Sequence, residues 1–496
     1  MEEHAGITAE RVATGITGLD DVTGGGLVPN RLYLIEGDPG AGKTTLALKF
    51  LLEGLERGES CMYVTLSENR EELAAGAASH GWSLEGIHIV EIIASEESLK
   101  PDSRYTMFHP SEVELSETTK AVLAEATRVK PARLVLDSLS ELRLLADSSL
   151  RYRRQVLALK QYFAKLGATV LFIDDLTAGQ NEDKHLHSIA HGVISLERVA
   201  GEYGSVRRRV QLRKLRGTTF REGYHDFTIR RGGLVVYPRL VASEHRNADN
   251  FQSIPSGLAP VDALLGGGLA KGTSTLFVGA AGTGKSSLAM QYAHAAGTRG
   301  ERAAVFLFDE SLRTFTERSR GLGMDPQPLL DSGALTVRQV DPAELSPGEF
   351  AHAVRSEVNE CGARLVVIDS LSGYLNAMPN EKFLNLHLHE LLGYLGQQGV
   401  TTLLLMAQHG LVGQGMTSPV DASYLADTVI LLRYFEAFGE MRKAISVIKK
   451  RTGKHERTIR ELKMDGGGIE VSEPLRDFHG VFSGTPNYIG DNLANQ

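Results

Sequence analysis

The chain has 496 residues, of which 42% are apolar and 23% charged, so it can bury more than one hydrophobic core and is not an intrinsically disordered protein. The formal net charge of −8 gives no bulk attraction to nucleic acid or anionic membranes. Two cysteines, Cys61 and Cys361, are too few for a disulfide framework and have no neighbours at metal-ligand spacing. The acidic N-terminus and the lack of an apolar run of about 18 residues predict a cytoplasmic protein without a membrane span.

The sequence contains a duplication with a domain-sized period. Residues 14–37 recur as residues 256–279, and Gly37 and Gly279 lie 242 positions apart. Asp137 and Asp369 lie 232 positions apart, which predicts ten extra residues in the first copy, within the polar stretch from Ala94 to Glu117. The predicted organisation is a first domain over residues 1–240, a linker over 241–252, a second domain over 253–485 and a short polar tail over 486–496.

Short apolar runs alternate with longer segments that have apolar residues at helical spacing. The predicted strands are Leu32 to Glu36, Cys61 to Leu66, Leu134 to Leu136 and Thr169 to Ile173 in the first copy, and Ser274 to Val278, Ala304 to Phe308, Leu365 to Ile368 and Thr401 to Met406 in the second. Helical patterns include Leu150 to Leu166 and Phe383 to Gln398. Strands that are apolar on both faces and alternate with helices predict two α/β domains with mainly parallel sheets.

Two segments match the pattern G-x-x-x-x-G-K-[ST], each directly after a predicted strand and before a helical segment. In such a loop the backbone N–H groups surround phosphate oxygens, the lysine adds a cation and the last hydroxyl binds Mg²⁺. The candidate nucleotide-binding residues are Gly40, Ala41, Gly42, Lys43, Thr44 and Thr45 in the first copy and Gly282, Thr283, Gly284, Lys285, Ser286 and Ser287 in the second. A chance glycine-rich turn is the alternative, and the repetition at equivalent positions argues against it.

Each copy also has an aspartate at the end of another apolar strand, in the sequence Asp-Ser-Leu-Ser that begins at Asp137 and at Asp369. A carboxylate in this position can hold Mg²⁺ together with the hydroxyl of Thr44 or Ser286. An aspartate that caps a turn is the alternative. The paired phosphate-binding loops favour the metal role.

An acidic residue follows the second predicted strand of each copy, in Ser67-Glu68 and in Asp309-Glu310. Open parallel sheets bind ligands at the carboxyl ends of their strands, so Glu68, Asp309 and Glu310 are candidate bases that orient or deprotonate water. The alternative is that these acids only begin the following helix, where they favour the helix dipole.

The order of these motifs, together with Thr-Gly-x-x-Gly-Leu-Asp at residues 14–20 and Gly-Gly-Gly at 24–26, resembles that of the KaiC family of circadian-clock ATPases over nearly the whole chain. The resemblance implies two RecA-like domains per subunit, a double-ring hexamer and ATP between neighbouring subunits. Clock or signalling proteins are the expected partners, and the acidic balance argues against nucleic acid. The resemblance also implies further site residues: Ser79 as a nucleotide contact, and Lys214, Arg216, Lys449 and Arg451 as cations that a neighbouring subunit supplies to the γ-phosphate. An exposed basic strand is the alternative for these four.

The chain departs from the family pattern at places that affect function. Ser67 replaces the first of two paired glutamates, which predicts a slower first site. Ser423 stands where the clock protein carries a phosphoacceptor, and Tyr424 replaces the second acceptor, a threonine. An ordinary loop serine is the alternative for Ser423. The short polar end replaces a long tail, which argues against an activator of the kind that engages that tail.

The sequence thus predicts a tandem RecA-like ATPase that uses ATP and Mg²⁺, with Ser/Thr autokinase activity at Ser423 as an additional function. In that reaction Asp309 or Glu310 would take the proton of the hydroxyl. Two alternatives are a RecA-type DNA-dependent ATPase, which the acidic balance argues against, and a signalling scaffold in which ATP only holds a ring together. Stimulation of the ATPase by DNA would distinguish the first alternative.

Overall fold

The computed structural model describes residues 10–92, 110–146, 148–176, 184–200, 204–241, 252–376, 384–408, 424–482 and 486–488. The chain divides into two compact units, Met1–Arg239 and Leu240–Gln496. Each unit is built around one nine-stranded sheet with helices on both of its faces. Among the described helices, none has the length and apolar character that a membrane crossing requires.

The first unit begins with a short helix and then alternates strands and helices. Its elements are α1 (Thr17–Thr23), β1 (Leu32–Gly37), α2 (Lys43–Glu56), β2 (Cys61–Thr65), α3 (Arg70–Ser79), β3 (Ile87–Glu91), α4 (Pro110–Val129), β4 (Arg133–Asp137), α5 (Leu139–Leu144), α6 (Ser149–Leu166), β5 (Thr169–Asp175), α7 (Lys184–Ile189), β6 (Gly192–Val199), β7 (Arg207–Leu215), β8 (Tyr224–Arg230) and β9 (Gly233–Tyr237). The strand order is β3-β2-β4-β5-β1-β6-β7-β8-β9.

The second unit repeats this arrangement. Its elements are β10 (Ser253–Ile254), α8 (Ala259–Leu264), β11 (Leu269–Ala270), β12 (Ser274–Gly279), α9 (Lys285–Thr298), β13 (Arg302–Leu307), α10 (Leu312–Gly321), α11 (Gln327–Asp331), β14 (Leu335–Gln339), α12 (Pro347–Asn359), β15 (Ala363–Asp369), α13 (Leu371–Asn376), α14 (Leu384–Gln397), β16 (Thr401–Ala407), β17 (Thr428–Ala437), β18 (Glu440–Lys450), β19 (Arg460–Asp465), β20 (Gly468–Pro474), β21 (Phe478–His479) and β22 (Asn487–Tyr488). The large sheet has the order β14-β13-β15-β16-β12-β17-β18-β19-β20.

The parallel half of each sheet is buried on both faces, as its apolar sequence predicts. Every residue of β1 and of β12 is buried. In the first unit Tyr33 and Ile35 belong to one apolar cluster, while Leu32 and Leu34 belong to another. Since alternate residues of a strand point to opposite faces, these clusters lie on the two sides of the sheet and hold the helices against it.

The structure confirms the predicted α/β class and all eight predicted strands, with small differences at their ends. The predicted sheets were incomplete, because β7, β8 and β9, and their counterparts β18, β19 and β20, extend each sheet with antiparallel strands. The ten extra residues expected within residues 94–117 stay a prediction. Residues 110–117 form the beginning of α4, while 93–109 lie outside the described residues.

Candidate nucleotide-binding sites

The first phosphate-binding loop connects the end of β1 to the beginning of α2. Gly40 and Gly42 have φ angles of 74° and 103°, which side chains other than glycine rarely adopt. A Cβ on Gly42 would also lie 2.7 Å from Cδ1 of Ile229 in β8, so this antiparallel strand packs directly on the loop. The loop's shape therefore depends on glycine at both positions.

Lys43 lies inside this loop with only 6% of its surface exposed. Its Nζ donates to the carbonyl oxygens of Gly37 and Asp38 at 2.8 and 2.9 Å. The same Nζ lies 2.6 Å from Oδ1 of Asp175, at the end of β5. The lysine is thus held by two carbonyls and one carboxylate.

The second loop, between β12 and α9, has the same geometry. Gly282 and Gly284 have φ angles of 78° and 105°, and a Cβ on Gly284 would collide with Met464 of β19. Lys285 Nζ donates to the carbonyls of Gly279 and Ala280 at 2.9 and 2.8 Å. Burial lowers the pKa of Lys285 to about 8. Ala407 occupies the position that Asp175 has in the first unit, so no carboxylate stands there.

Several predicted nucleotide-binding residues are placed by these loops. Ala41 and Thr283 are fully buried, and the Thr283 hydroxyl donates to the Ala280 carbonyl at 2.8 Å. Thr45 and Ser287 lie in the first turns of α2 and α9. Ser79 is at the end of α3, where its exposed hydroxyl donates to the Gly76 carbonyl at 2.6 Å.

The strand-end aspartates lie next to the loop hydroxyls. Thr44 Oγ1 donates to Oδ2 of Asp137 at 3.3 Å, and Tyr63 OH donates to the same oxygen at 2.5 Å. In the second site Ser286 interacts with the Asp369 side chain and lowers its pKa against the larger effect of burial. Burial is the main cause of a raised pKa at both Asp137 and Asp369. Each pair gives a hydroxyl and a carboxylate oxygen, which are the ligands that Mg²⁺ prefers.

The carboxylates that follow β2 and β13 have different surroundings. The Glu68 backbone is fixed by the Thr65 hydroxyl, which donates to its carbonyl at 2.7 Å. Burial raises the pKa of Glu68, and the carboxylates of Asp137, Glu72 and Asp175 add to that rise.

In the second site the two acids have separate partners. Both oxygens of Glu310 accept hydrogen bonds from Arg318, whose Nε and one terminal nitrogen lie 3.1 and 2.7 Å away. Asp309 instead accepts from the Ser370 hydroxyl at 2.5 Å. A Cβ on Gly373 would lie 2.5 Å from Asp309, so the neighbouring helix α13 needs a glycine there.

The four basic residues predicted to act on a neighbouring copy lie near the amino-terminal ends of the parallel strands, opposite the phosphate-binding loops. We call this side of each domain its far edge. Lys214 Nζ donates to the His187 and Ala190 carbonyls, and Arg216 donates to the Ser188 carbonyl at 2.9 Å. Burial and the nearby cations lower the pKa of Lys214. In the second unit, Lys449 donates to the Ala426 carbonyl at 2.8 Å and Arg451 to the Tyr424 carbonyl at 3.1 Å.

The comparisons with known proteins agree with this geometry. The family model described as "ATPase: KaiC" matches residues 12–241 and again residues 254–476. The chain belongs to the KaiC family of ATPases. The KaiC match covers both units, each of which contains one nucleotide-binding loop.

Among the curated relatives, the circadian clock oscillator protein KaiC of Thermostichus vulcanus is 28% identical over 98% of this chain and 94% of its own length. The circadian clock protein KaiC3 of Synechocystis sp. is 29% identical over 97% of this chain and 95% of its own length. The KaiC oscillator protein of Synechococcus elongatus is 27% identical, again over nearly all of both chains. The similarity therefore extends through both domains.

Sequence reasoning missed three residues that shape the two sites: Tyr63, Asp175 and Arg318. A signal for Arg318 was present, because it lies eight residues after Glu310 in a helical pattern, while Gly76 lies eight residues after Glu68. Comparing the two copies position by position would have shown it. The predicted phosphoacceptor Ser423 lies outside the described residues.

Proposed function

We propose that each domain of this chain binds one Mg·ATP and that the ATP is hydrolysed at interfaces between copies in a six-membered ring. The observation that carries the proposal is the distance between the phosphate-binding loop and the basic residues of the same domain. The loop follows Gly37 at the end of β1, whereas the Arg216 N–H donates to the carbonyl of His191, which pairs with Leu32 at the beginning of β1. Five steps along a strand span roughly 17 Å.

The second domain repeats the separation. Its loop follows Gly279 at the end of β12, whereas the Arg451 N–H donates to Asp427, which pairs with Ser274 at the beginning of that strand. Cations at this far edge are too distant for a phosphate on their own loop. A neighbouring copy whose far edge contacts the loop would supply the cations. Head-to-tail contacts of this kind can close into a ring.

The side chains present in each site fit this reaction. Thr44 with Asp137, and Ser286 with Asp369, would hold Mg²⁺, which neutralises charge on the phosphates when bound. Lys43 and Lys285 exchange their carbonyl partners for phosphate oxygens. Glu68 and Glu310 orient the attacking water and take its proton, while Lys214, Arg216, Lys449 and Arg451 stabilise the charge that develops on the transferred group.

The proposal includes autophosphorylation of Ser423 in the second domain, a cytoplasmic location, and clock proteins as partners, because the curated relatives are named clock proteins. The backbone carbonyl of Tyr424, the residue after Ser423, accepts a hydrogen bond from the Arg451 guanidinium at 3.1 Å. Ser423 therefore directly precedes a residue bound to one of the four interface cations. Incubation with Mg·ATP and phosphopeptide mass spectrometry should find phosphate on Ser423 alone. Phosphate on Tyr424, or phosphate that persists in Ser423→Ala, would contradict this part of the proposal.

Trans complementation tests the interface. One variant carries Lys43→Ala and another carries Lys214→Ala with Arg216→Ala, both in a Glu310→Gln background that removes second-site turnover. Each variant alone should be inactive. A 1:1 mixture should regain activity at about a quarter of its interfaces, because random mixing places an intact loop beside intact cations there.

Separately, light scattering should show that the ring dissociates when ATP is removed, since bound nucleotide stabilises only the assembled form.

If the mixture stays inactive although mixed rings form, the cations do not act across an interface. A monomer in the presence and absence of ATP would contradict the ring itself.

A further inference from the structure

The carboxylate of Glu310 is held by an arginine of the same chain. Arg318 lies two turns into α10, which begins after Ser311 caps its first turn by accepting from the Thr314 N–H. Its guanidinium contacts both Glu310 oxygens, and the side chains of Arg318 and Glu310 are only 24% and 20% exposed. This is a bidentate ion pair with two-point geometry, partly shielded from water, and such a pair is stronger and more directional than an exposed one.

Two further contacts fix the Arg318 side chain. Its guanidinium carbon lies 5.5 Å from the centre of the Phe315 ring. Its remaining terminal nitrogen donates to the Ser287 hydroxyl at 3.5 Å, in the helix that follows the phosphate-binding loop. Arg318 also lowers the pKa of Asp369 against the larger opposing effect of burial. The arginine is therefore part of the second nucleotide site, at the carboxylate rather than at the phosphate loop.

In the first site, the position equivalent to Arg318 holds a glycine. Gly76 occupies the equivalent position on α3, and a Cβ there would meet no atom within 4 Å. The charged groups that act on Glu68 are the acids Asp137, Glu72 and Asp175. Within the described part of the chain, no cation is paired with the Glu68 carboxylate.

We propose that Arg318 is a positioning residue that holds Glu310 in this ion pair and thereby makes ATP hydrolysis slower in the second site than in the first. The inference rests on the proposed role of Glu68 and Glu310 as bases. A carboxylate that takes a proton from water loses its charge, and Glu310 would lose its pairing with Arg318 at that moment. Glu68 has no such interaction to give up. The difference in ATP hydrolysis rate between the two sites then follows from Arg318 and not from the number of carboxylates in each site.

The test measures each site in the assembled protein. A Glu68→Gln background reports second-site turnover, and a Glu310→Gln background reports first-site turnover, while both retain the phosphate-binding loops. In the Glu68→Gln background, Arg318→Ala should raise kcat about 3- to 10-fold with KM changed less than about 2-fold, as expected for loss of a partly buried ion pair. Arg318→Lys keeps the charge without the two-point geometry and should give a smaller rise.

A reciprocal change and a matched control accompany this test. Gly76→Arg, in the Glu310→Gln background, should lower first-site kcat by a similar factor because the space at Gly76 is open. Arg313→Ala removes an exposed arginine from the same helix α10 and should leave second-site kcat unchanged. Thermal unfolding of each variant identifies loss of folding, and Arg318→Lys and Gly76→Arg still decide the question if Arg318→Ala is unstable.

The outcomes separate the inference from the proposed function. If the double variant Glu68→Gln/Glu310→Gln is inactive but Arg318→Ala lowers second-site kcat or leaves it unchanged, the inference is overturned and the bases stand. If that double variant retains full turnover, the two glutamates are not the bases, and the inference falls with the proposed function. A rise in kcat that requires an intact Glu310 supports it.

Discussion

The two candidate nucleotide sites share their glycine-rich loops, loop lysines and strand-end aspartates but differ in the charges next to them. In the first site, Asp175 contacts the loop lysine, and Glu68 is surrounded by acids. In the second site, Ala407 stands where Asp175 would be, and Arg318 holds Glu310. The first site thus has an additional anion beside its lysine, and the second has an additional cation beside its candidate base.

This difference shows which parts of a duplicated site can diverge. Both copies retain the loop glycines, the lysines and the strand-end aspartates, which the loop's backbone shape and the proposed binding of phosphate and Mg²⁺ require. The neighbouring positions on β5, β16, α3 and α10 have no such constraint. We expect changes there to alter affinity and rate while the fold of the site is kept.

The largest expected effect comes from removing either lysine. Lys43→Ala and Lys285→Ala should each weaken ATP binding at their own site by about 10- to 100-fold, because each removes a charged hydrogen-bond donor to phosphate. We expect Lys43→Ala to impair assembly more and Lys285→Ala to impair phosphorylation more. Light scattering and phosphate incorporation measure the two effects. Identical behaviour in both assays would remove the functional distinction between the domains.

The next effect tests the additional anion of the first site. Asp175→Ala should tighten ATP binding there about 5-fold, since a carboxylate near the phosphates repels them by about 1 kcal/mol in a wet site. Titration calorimetry in the Lys285→Ala background measures it. The reciprocal Ala407→Asp should weaken the second site. Weaker binding after Asp175→Ala would instead mean that Asp175 helps to organise the loop.

A smaller effect concerns pH. Glu68 acts as a base only when it is unprotonated, and burial and nearby acids raise its pKa. As the pH is lowered, first-site hydrolysis, measured in the Glu310→Gln background, should therefore begin to fall at a higher pH than it would if the base were a glutamate with an ordinary pKa. Asp175→Asn removes one of the contributing charges and should move this acidic limb to lower pH by a few tenths of a unit. An acidic limb that does not move would exclude this coupling.

The smallest effect tests the acid that the first site lacks. Asp309 binds the Ser370 hydroxyl and lies against Gly373, while the corresponding positions of the first unit hold Ser67, Ser138 and Glu141. Ser67→Asp, combined with Glu141→Gly to make room, should change first-site turnover less than about 2-fold, because an aspartate here holds a serine rather than water. A tenfold gain would restore the expectation that Ser67 makes the first site slower.

Much of this comparison could be predicted from the sequence, because loops, strands and strand-end acids have local signals. The spacing of Gly37 and Gly279 indicated the duplication, and β1 and β12 begin at Leu32 and Ser274, as predicted. The antiparallel strands were not predicted, since β7 and β18 each contain charged residues near both ends and do not resemble the buried parallel strands. The contact between Arg318 and Glu310 spans two helical turns and depends on how α10 lies against β13, which no single motif encodes.

The packing of the loop glycines limits how far each phosphate-binding loop can move independently of the antiparallel strands. Ile229 in β8 and Met464 in β19 fill the space that a side chain at Gly42 or Gly284 would need. β8 pairs with β7, which contains Lys214, and β19 pairs with β18, which contains Lys449. Each phosphate loop and the strand that presents a cation on the far edge are therefore parts of one packed layer. Any displacement of the loop must be accommodated by that layer. In the proposed ring, the free energy of nucleotide binding and that of contact with a neighbouring copy are therefore coupled, by the same amount in both directions.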